Sequence, residues 1–121
     1  MERRLPADSI PIFCEGIALV LHDWSALRAA VVNEWGGQES RQNAGRLARD
    51  ILAWFTQSTG PLDIYDLENM LDDGMLSLSV VVDDGSIEEV AEKLMVLHEE
   101  CLEGNFRYIG ILREANLERA A

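Results

Sequence analysis

Four side chains carry all the soft metal-ligand chemistry of the chain: Cys14, His22, His98 and Cys101. His98 and Cys101 are three residues apart in a helix-periodic stretch, so one metal ion could touch both. Zinc sites normally draw more ligands than that, in CxxC or HExxH spacings, and neither spacing occurs. Cys101 also falls on the apolar stripe of its segment, where a free thiol behaves as a small hydrophobe. Core packing is therefore the reading, with no metal and no cofactor expected. The aspartate pairs in "LDDGML" and "VVDDGS" lack the alternating carboxylates and closing glutamate of an EF-hand loop, and read as turns and caps. No GxSxG, phosphate-binding glycine loop or Cys/His nucleophile arrangement is present, so no enzyme is expected.

What the sequence does offer is charge. Twenty-two acidic residues face ten basic ones, a net of −12. Residues 60–103 hold thirteen of the acids and a single base, Lys93, while the rest of the chain holds nine of each. Like charges about 4 Å apart in water repel by about 1 kcal/mol, and a purely structural surface more often mixes its signs. A direct nucleic-acid or anionic-membrane ligand is disfavoured, and a cationic partner is the natural complement. The residues expected to contact it are Asp66, Asp72, Asp73, Asp83, Asp84, Glu88, Glu89 and Glu92.

The elements that must position these acids are helical. With 121 residues, 48% of them hydrophobic, the chain reads as one domain over 1–121 with an ordered core of about 10–118. The expectation is an all-α fold of about five helices around a central N-terminal helix. That helix is read over residues 11–35, where Phe13, Ile17, Val20, Leu21, Trp24, Leu27, Val31 and Trp35 share one broad face. Gly16 is its weak point, because a mid-helix glycine costs about 1 kcal/mol relative to alanine. Gly36-Gly37 is read as its stop. Ser40 is the expected N-cap of a second helix over 41–57, and Asp63 that of a third over 63–76. "LSLSVVV" (76–82) alternates and is β-branched, so it is read as an extended connector across the helices. Ser86 and Glu89 form a capping box opening a helix that Gly104 stops, and a last helix covers about 105–118. The N-terminus shows no apolar signal-peptide region, and the two cysteines do not make a disulfide framework. An intracellular protein is expected.

"WSALRAAVVNEWGG" resembles the W-x-A-L-x-x-A-V-x-x-x-W-G-G signature of the pre-rRNA-processing WGG-domain family, at Trp24, Ala26, Leu27, Ala30, Val31, Trp35, Gly36 and Gly37. Ser40 fits the serine that follows the glycines. "DDGSIEEVA" is similar to the family's D-D-S-x-x-x-V-A with Gly85 as an extra residue, and "CLEGNF" to its C-x-x-G-x-F ending. Val32 stands where the family more often has a polar residue. The resemblance implies an all-helical, non-catalytic chaperone, or escortin. It would hold the basic small-subunit ribosomal protein number twenty-six, strip it from its importin and deliver it to the pre-40S particle, moving between nucleus and cytoplasm. The tryptophans and glycines of the signature are read as core and cap, with the client bound elsewhere; the competing reading is that one tryptophan edge lines a groove for the client. A second reading is a helical dimerisation or scaffold module pairing through residues 76–82.

Overall fold

The computed structural model describes residues 4–58 and 60–120, and is all-α. A 3-10 turn, Ala7–Ser9, leads into six helices: α1 Ile10–Asp23, α2 Ser25–Val32, α3 Ser40–Gln57, α4 Ile64–Ser77, α5 Ser86–Leu102 and α6 Arg107–Ala120. The expected helix over 11–35 is thus two helices, and the total is six rather than about five. The two axes meet at 78°. Trp24 makes the bend with extended backbone (ψ 106°), serving as C-cap of α1 and N-cap of α2 at once. No proline or glycine marks the spot. The apolar spacing continues smoothly through it, which is why periodicity alone reads one helix.

The central position falls to α1, which touches α2, α3, α5 and α6, whereas α2 packs on α1 and α3. Phe13, Ile17, Val20 and Leu21 of α1 are buried, meeting Leu47, Ile51 and Phe55 of α3 and Leu94, Leu97 and Cys101 of α5. Phe13 meets Phe55 edge-on with ring centroids 5.1 Å apart. The buried His98 ring lies against both, at 5.5 and 4.6 Å. Cys101 is a buried core thiol, and burial pushes its pKa up. Such a thiol is held neutral and is a poor nucleophile.

Gly16 is more than a weak point. A Cβ there would lie 2.4 Å from Cδ2 of the buried Leu97, so the missing side chain lets α1 and α5 approach. Gly74 plays the same part between α4 and α3, where a Cβ would come 2.7 Å from Leu47 Cδ1. On the outer side Arg113 of α6 grips Glu15 of α1 through two hydrogen bonds of 2.7 Å. The Arg113 guanidinium holds the Glu15 carboxyl below its ordinary pKa. The stability this lends is present above the ordinary glutamate pKa and is lost as pH falls through the lowered one.

Helix boundaries follow local chemistry. Asp63 caps α4 as expected, accepting from the Tyr65 N–H at 2.9 Å. Gly104, at φ 72°, ends α5. Ser79 ends α4 in the left-handed region at φ 63°, with its N–H bonded to Leu76 O and that of Val80 to Met75 O. This is the Schellman closure. The connector beyond it is not a strand: Leu78 is buried, and Val80 and Val82 pack partly on the core.

Two glycine substitutions should separate packing from propensity. Gly45 lies in α3, and a Cβ there would meet only Arg49 Nη1, at 3.5 Å. Gly45→Ala should therefore raise the melting temperature, by the equivalent of about 1 kcal/mol. Gly16→Ala gains the same propensity but overpacks Leu97, at about 1–3 kcal/mol, and should lower it. Thermal melts followed by circular dichroism compare the two directly.

Candidate functional site

The signature tryptophans have opposite fates. Trp24 is 4% exposed and Trp35 is 50% exposed, so the expectation that both are core holds for the first alone. The indole Nε1 of Trp24 donates to Ser86 Oγ at 2.9 Å. This joins the elbow between α1 and α2 to the start of α5. Ser86 is the first residue of α5, and the N-cap is Gly85, left-handed at φ 83°. The expected capping box is therefore not the arrangement found. Asp84 instead accepts from the Ser86 N–H at 3.0 Å. The Ser86 hydroxyl and N–H together hold the Asp84 carboxyl below its ordinary pKa.

Helix α2 stops at Val32, before the glycines. Trp35 N–H bonds to Ala30 O at 3.0 Å and Glu34 N–H to Val31 O at 3.2 Å. Glu34 takes the left-handed position at φ 52°. The cap is thus Glu34, and Gly36-Gly37 has another role. A Cβ on Gly36 would lie 2.9 Å from Leu78 Cα and 3.2 Å from Ser77 O, so Gly36 lets this loop touch the backbone at the end of α4. Gly37 supplies φ 90°, a conformation costly to any side chain. Ser40, expected as the N-cap of α3, is its first residue and is buried. Its Oγ accepts from Gly36 N–H at 3.0 Å and donates to Gly37 O at 2.8 Å, closing the loop on itself. Among the other signature residues, Leu27 and Ala30 are core, and Ala26 and Val31 pack at its margin.

The eight expected contact acids fall into two groups. Asp83 and Asp84 lie in the connector, and Glu88, Glu89 and Glu92 on the first two turns of α5, all exposed. Glu88 and Glu92 are one turn apart on the same face. Asp66 and Asp73 instead line a groove of about 420 Å³ between α3 and α4, which they share with Asp50 and Arg46. Asp72 is half-buried on α4. Among the described residues none of the eight enters an ion pair, whereas Lys93 and Arg119 pair with Asp23, and Arg113 with Glu15.

Close in sequence to the Gly36–Leu78 contact, several apolar side chains are exposed. Trp35 precedes the contact in sequence, and Leu76 lies just before Ser77. Trp35 and Leu76 are half exposed, and Val81 is 77% exposed. Helical periodicity placed Trp35 in the core and so concealed this feature. The left-handed turn at Glu34 rotates the ring out of the helical face to which it was assigned.

The site so built is a surface: unneutralised carboxylates beside anchored, exposed apolar side chains, on an all-helical domain. That defines a small all-helical module whose distinguishing feature is an open surface. The family model for pre-rRNA-processing protein TSR2, the WGG domain, matches residues 13–92, and the chain belongs to this family. TSR2 homologues from Danio rerio and Xenopus laevis are 31% and 34% identical to it, over 83% and 80% of this chain and 55% and 51% of their own. The human homologue is 29% identical over 74% of the chain and 47% of its own. The chain spans about half the length of these curated relatives. The solution structure of yeast TSR2(1-152) superposes with a TM-score of 0.83 at 22% identity, covering 98% of this chain and 78% of that one. It supports the same fold. No single helix among the described residues is long and apolar enough to cross a membrane.

The junction can be dissected by mutation. Trp24→Ala should destabilise the domain by about 3–5 kcal/mol and Gly36→Ala by about 1–3 kcal/mol through the backbone clash. Trp35→Ala, at a half-exposed position, should cost less than about 1 kcal/mol. Urea melts rank the three. A Trp35 variant as unstable as the Trp24 variant would contradict the exposed placement.

Proposed function

We propose that this chain acts in ribosome biogenesis by binding and shielding a basic protein of the small ribosomal subunit. The client is the type the family resemblance implies, number twenty-six. In this reading the chain takes the client from its importin and delivers it to the pre-40S particle, serving late small-subunit rRNA processing in nucleus and cytoplasm. The observation that carries the reading is the concentration of carboxylates at Asp83, Asp84, Glu88, Glu89 and Glu92, none of which enters an ion pair among the described residues. A surface so charged is costly by itself and is relieved by an incoming lysine- and arginine-rich segment. It steers encounter, and it competes with rRNA phosphates and importin acids for the same cations. No bond is made or broken, so the role calls for no catalytic group.

Trp35, Leu76 and Val81 supply what charge cannot. Purely ionic contacts are screened by salt and weakly specific. An exposed aromatic ring offers apolar area and a face for a guanidinium. The alternative of self-pairing through residues 76–82 loses its basis in this geometry. Leu78 is buried and Ser79 is kinked into the left-handed region, so no straight strand edge is presented.

Binding of the purified client protein, followed by anisotropy, tests the proposal. Affinity should fall clearly as the Debye length shrinks from about 30 Å at 0.01 M salt to about 8 Å at 0.15 M. Charge reversal at Asp83, Glu88 and Glu92 should slow association while leaving the melting temperature unchanged. Asp84 is a poor choice for reversal, because its carboxylate accepts from the Ser86 N–H at the start of α5, and losing that bond costs about 1 kcal/mol. Trp35→Ala should weaken binding through faster dissociation, with little change in salt dependence. Unchanged affinity of the acidic reversals at low salt would sink the reading.

A further inference from the structure

The charge of the molecule is segregated in both directions. Residues 24–49 carry Arg28, Arg41, Arg46 and Arg49 against Glu34 and Glu39, a cationic stretch in a chain of net −12. Among the described residues Arg41, Arg46 and Arg49 enter no ion pair, although unpaired carboxylates abound elsewhere. Arg41 and Arg49 are eight residues apart on α3, about two turns, and so share a face. With Val31, Val32, Gln42 and Gly45 they line an open groove of about 480 Å³ between the end of α2 and α3, in which Glu34 is the only acid.

Two features of this groove have no use within the fold. Val32 is 77% exposed, a bare aliphatic side chain between arginines. Gly45 sits inside α3, where glycine weakens a helix relative to alanine. Yet a Cβ there would meet only Arg49 Nη1, at 3.5 Å, so no neighbour in the fold requires its absence. Gly16, Gly36 and Gly74 each answer to a close internal contact; Gly45 answers to none. A glycine in the floor of a groove permits close approach by something from outside.

We infer that this groove docks a short acidic polypeptide segment, its carboxylates on Arg41 and Arg49 and one aliphatic side chain seated over Gly45 against Val32. Guanidinium forks suit carboxylates in bidentate geometry. At physiological salt, charges beyond about 8 Å are largely screened, so such a segment responds to the local arginines more than to the acids of α5. A nucleic acid fits the groove less well. Two arginines neutralise few phosphates, and the lining has no aromatic face on which a base could stack. The groove lining shares no residue with the acids of the connector and α5.

The test uses the full chain and a fluorescein-labelled peptide of glutamates around one central leucine, followed by anisotropy. The peptide should bind, and double reversal Arg41→Glu with Arg49→Glu should weaken it about tenfold. Replacing the central leucine with glycine should also weaken it. Gly45→Leu should abolish binding while the melting temperature holds or rises, which separates a blocked groove from a damaged fold. Reversal at Glu88 and Glu92 should leave peptide affinity within about twofold. Three results would overturn the inference: no binding, equal binding by the groove variants, or tighter binding of a single-stranded RNA oligonucleotide than of the peptide.

Discussion

The hydrogen bond from the Trp24 indole to the Ser86 hydroxyl, made across 62 residues of sequence, is the constraint on which the rest of the architecture turns. To bury its ring there, the chain breaks a helix whose apolar periodicity would otherwise continue, and takes a 78° bend. Burying an indole removes about 150–250 Å² from water, worth at most some 4–6 kcal/mol at about 25 cal/mol/Å². Interrupting one turn of helix costs less than that. Once α2 is turned away from α1, its far end meets the end of α4 through Gly36 and Leu78. The connector 78–86 is thereby held at both ends by the two ends of one short segment. The two sequence motifs, one at 24–37 and one at 83–91, are two halves of a single junction.

Much of this fold was legible in the sequence, for identifiable reasons. Helices α3 to α6 announce themselves by apolar spacing and by local chemistry that tertiary structure leaves alone, such as Asp63 at one N-terminus and Gly104 at a C-terminus. The elbow was illegible because it rests on a partner 62 residues away and on no local breaker. The same holds for Ser86: its local pattern with Glu89 reads as a capping box, but its hydroxyl is engaged by Trp24 and its N–H by Asp84. Gly16 looked like a defect and is a contact, because spacing says nothing of what lies opposite. For the candidate site, the charge imbalance could be counted directly. The exposure of Trp35 could not, since it follows from a left-handed residue, Glu34, that sequence rules do not favour there.

Charge segregation is the second organising fact. Lys93, Arg113 and Arg119 serve the fold by stapling α5 and α6 to α1, at Glu15 and Asp23. Among the described residues, Asp83, Asp84, Glu88, Glu89 and Glu92 have no such staples, and neither have the arginines of α3. Evolution of a surface for stability alone would interleave these groups, since exposed pairs are mildly favourable and like neighbours unfavourable. Keeping them apart costs stability on both faces. Such a cost is expected where surfaces are kept for partners. The groove between α3 and α4 is the exception, because Arg46 sits with Asp66 and Asp73 there. Those two acids thus share their groove with a cation of the fold itself.

The WGG loop itself combines rigidity with exposure. Ser40 satisfies the Gly36 N–H and the Gly37 carbonyl, Gly36 rests on the Leu78 backbone, and the left-handed turn at Glu34 fixes the entry to the loop. The backbone carrying Trp35 is therefore held from both sides while its ring remains half in solvent. An aromatic side chain on a fixed backbone loses little conformational freedom when covered, so more of its burial energy appears as affinity. A flexible loop bearing the same ring would give up part of that gain in ordering. The signature thus divides by physical role. Trp24, Gly36, Gly37 and Ser40 build and lock a junction, and Trp35 is the side chain that the junction holds out.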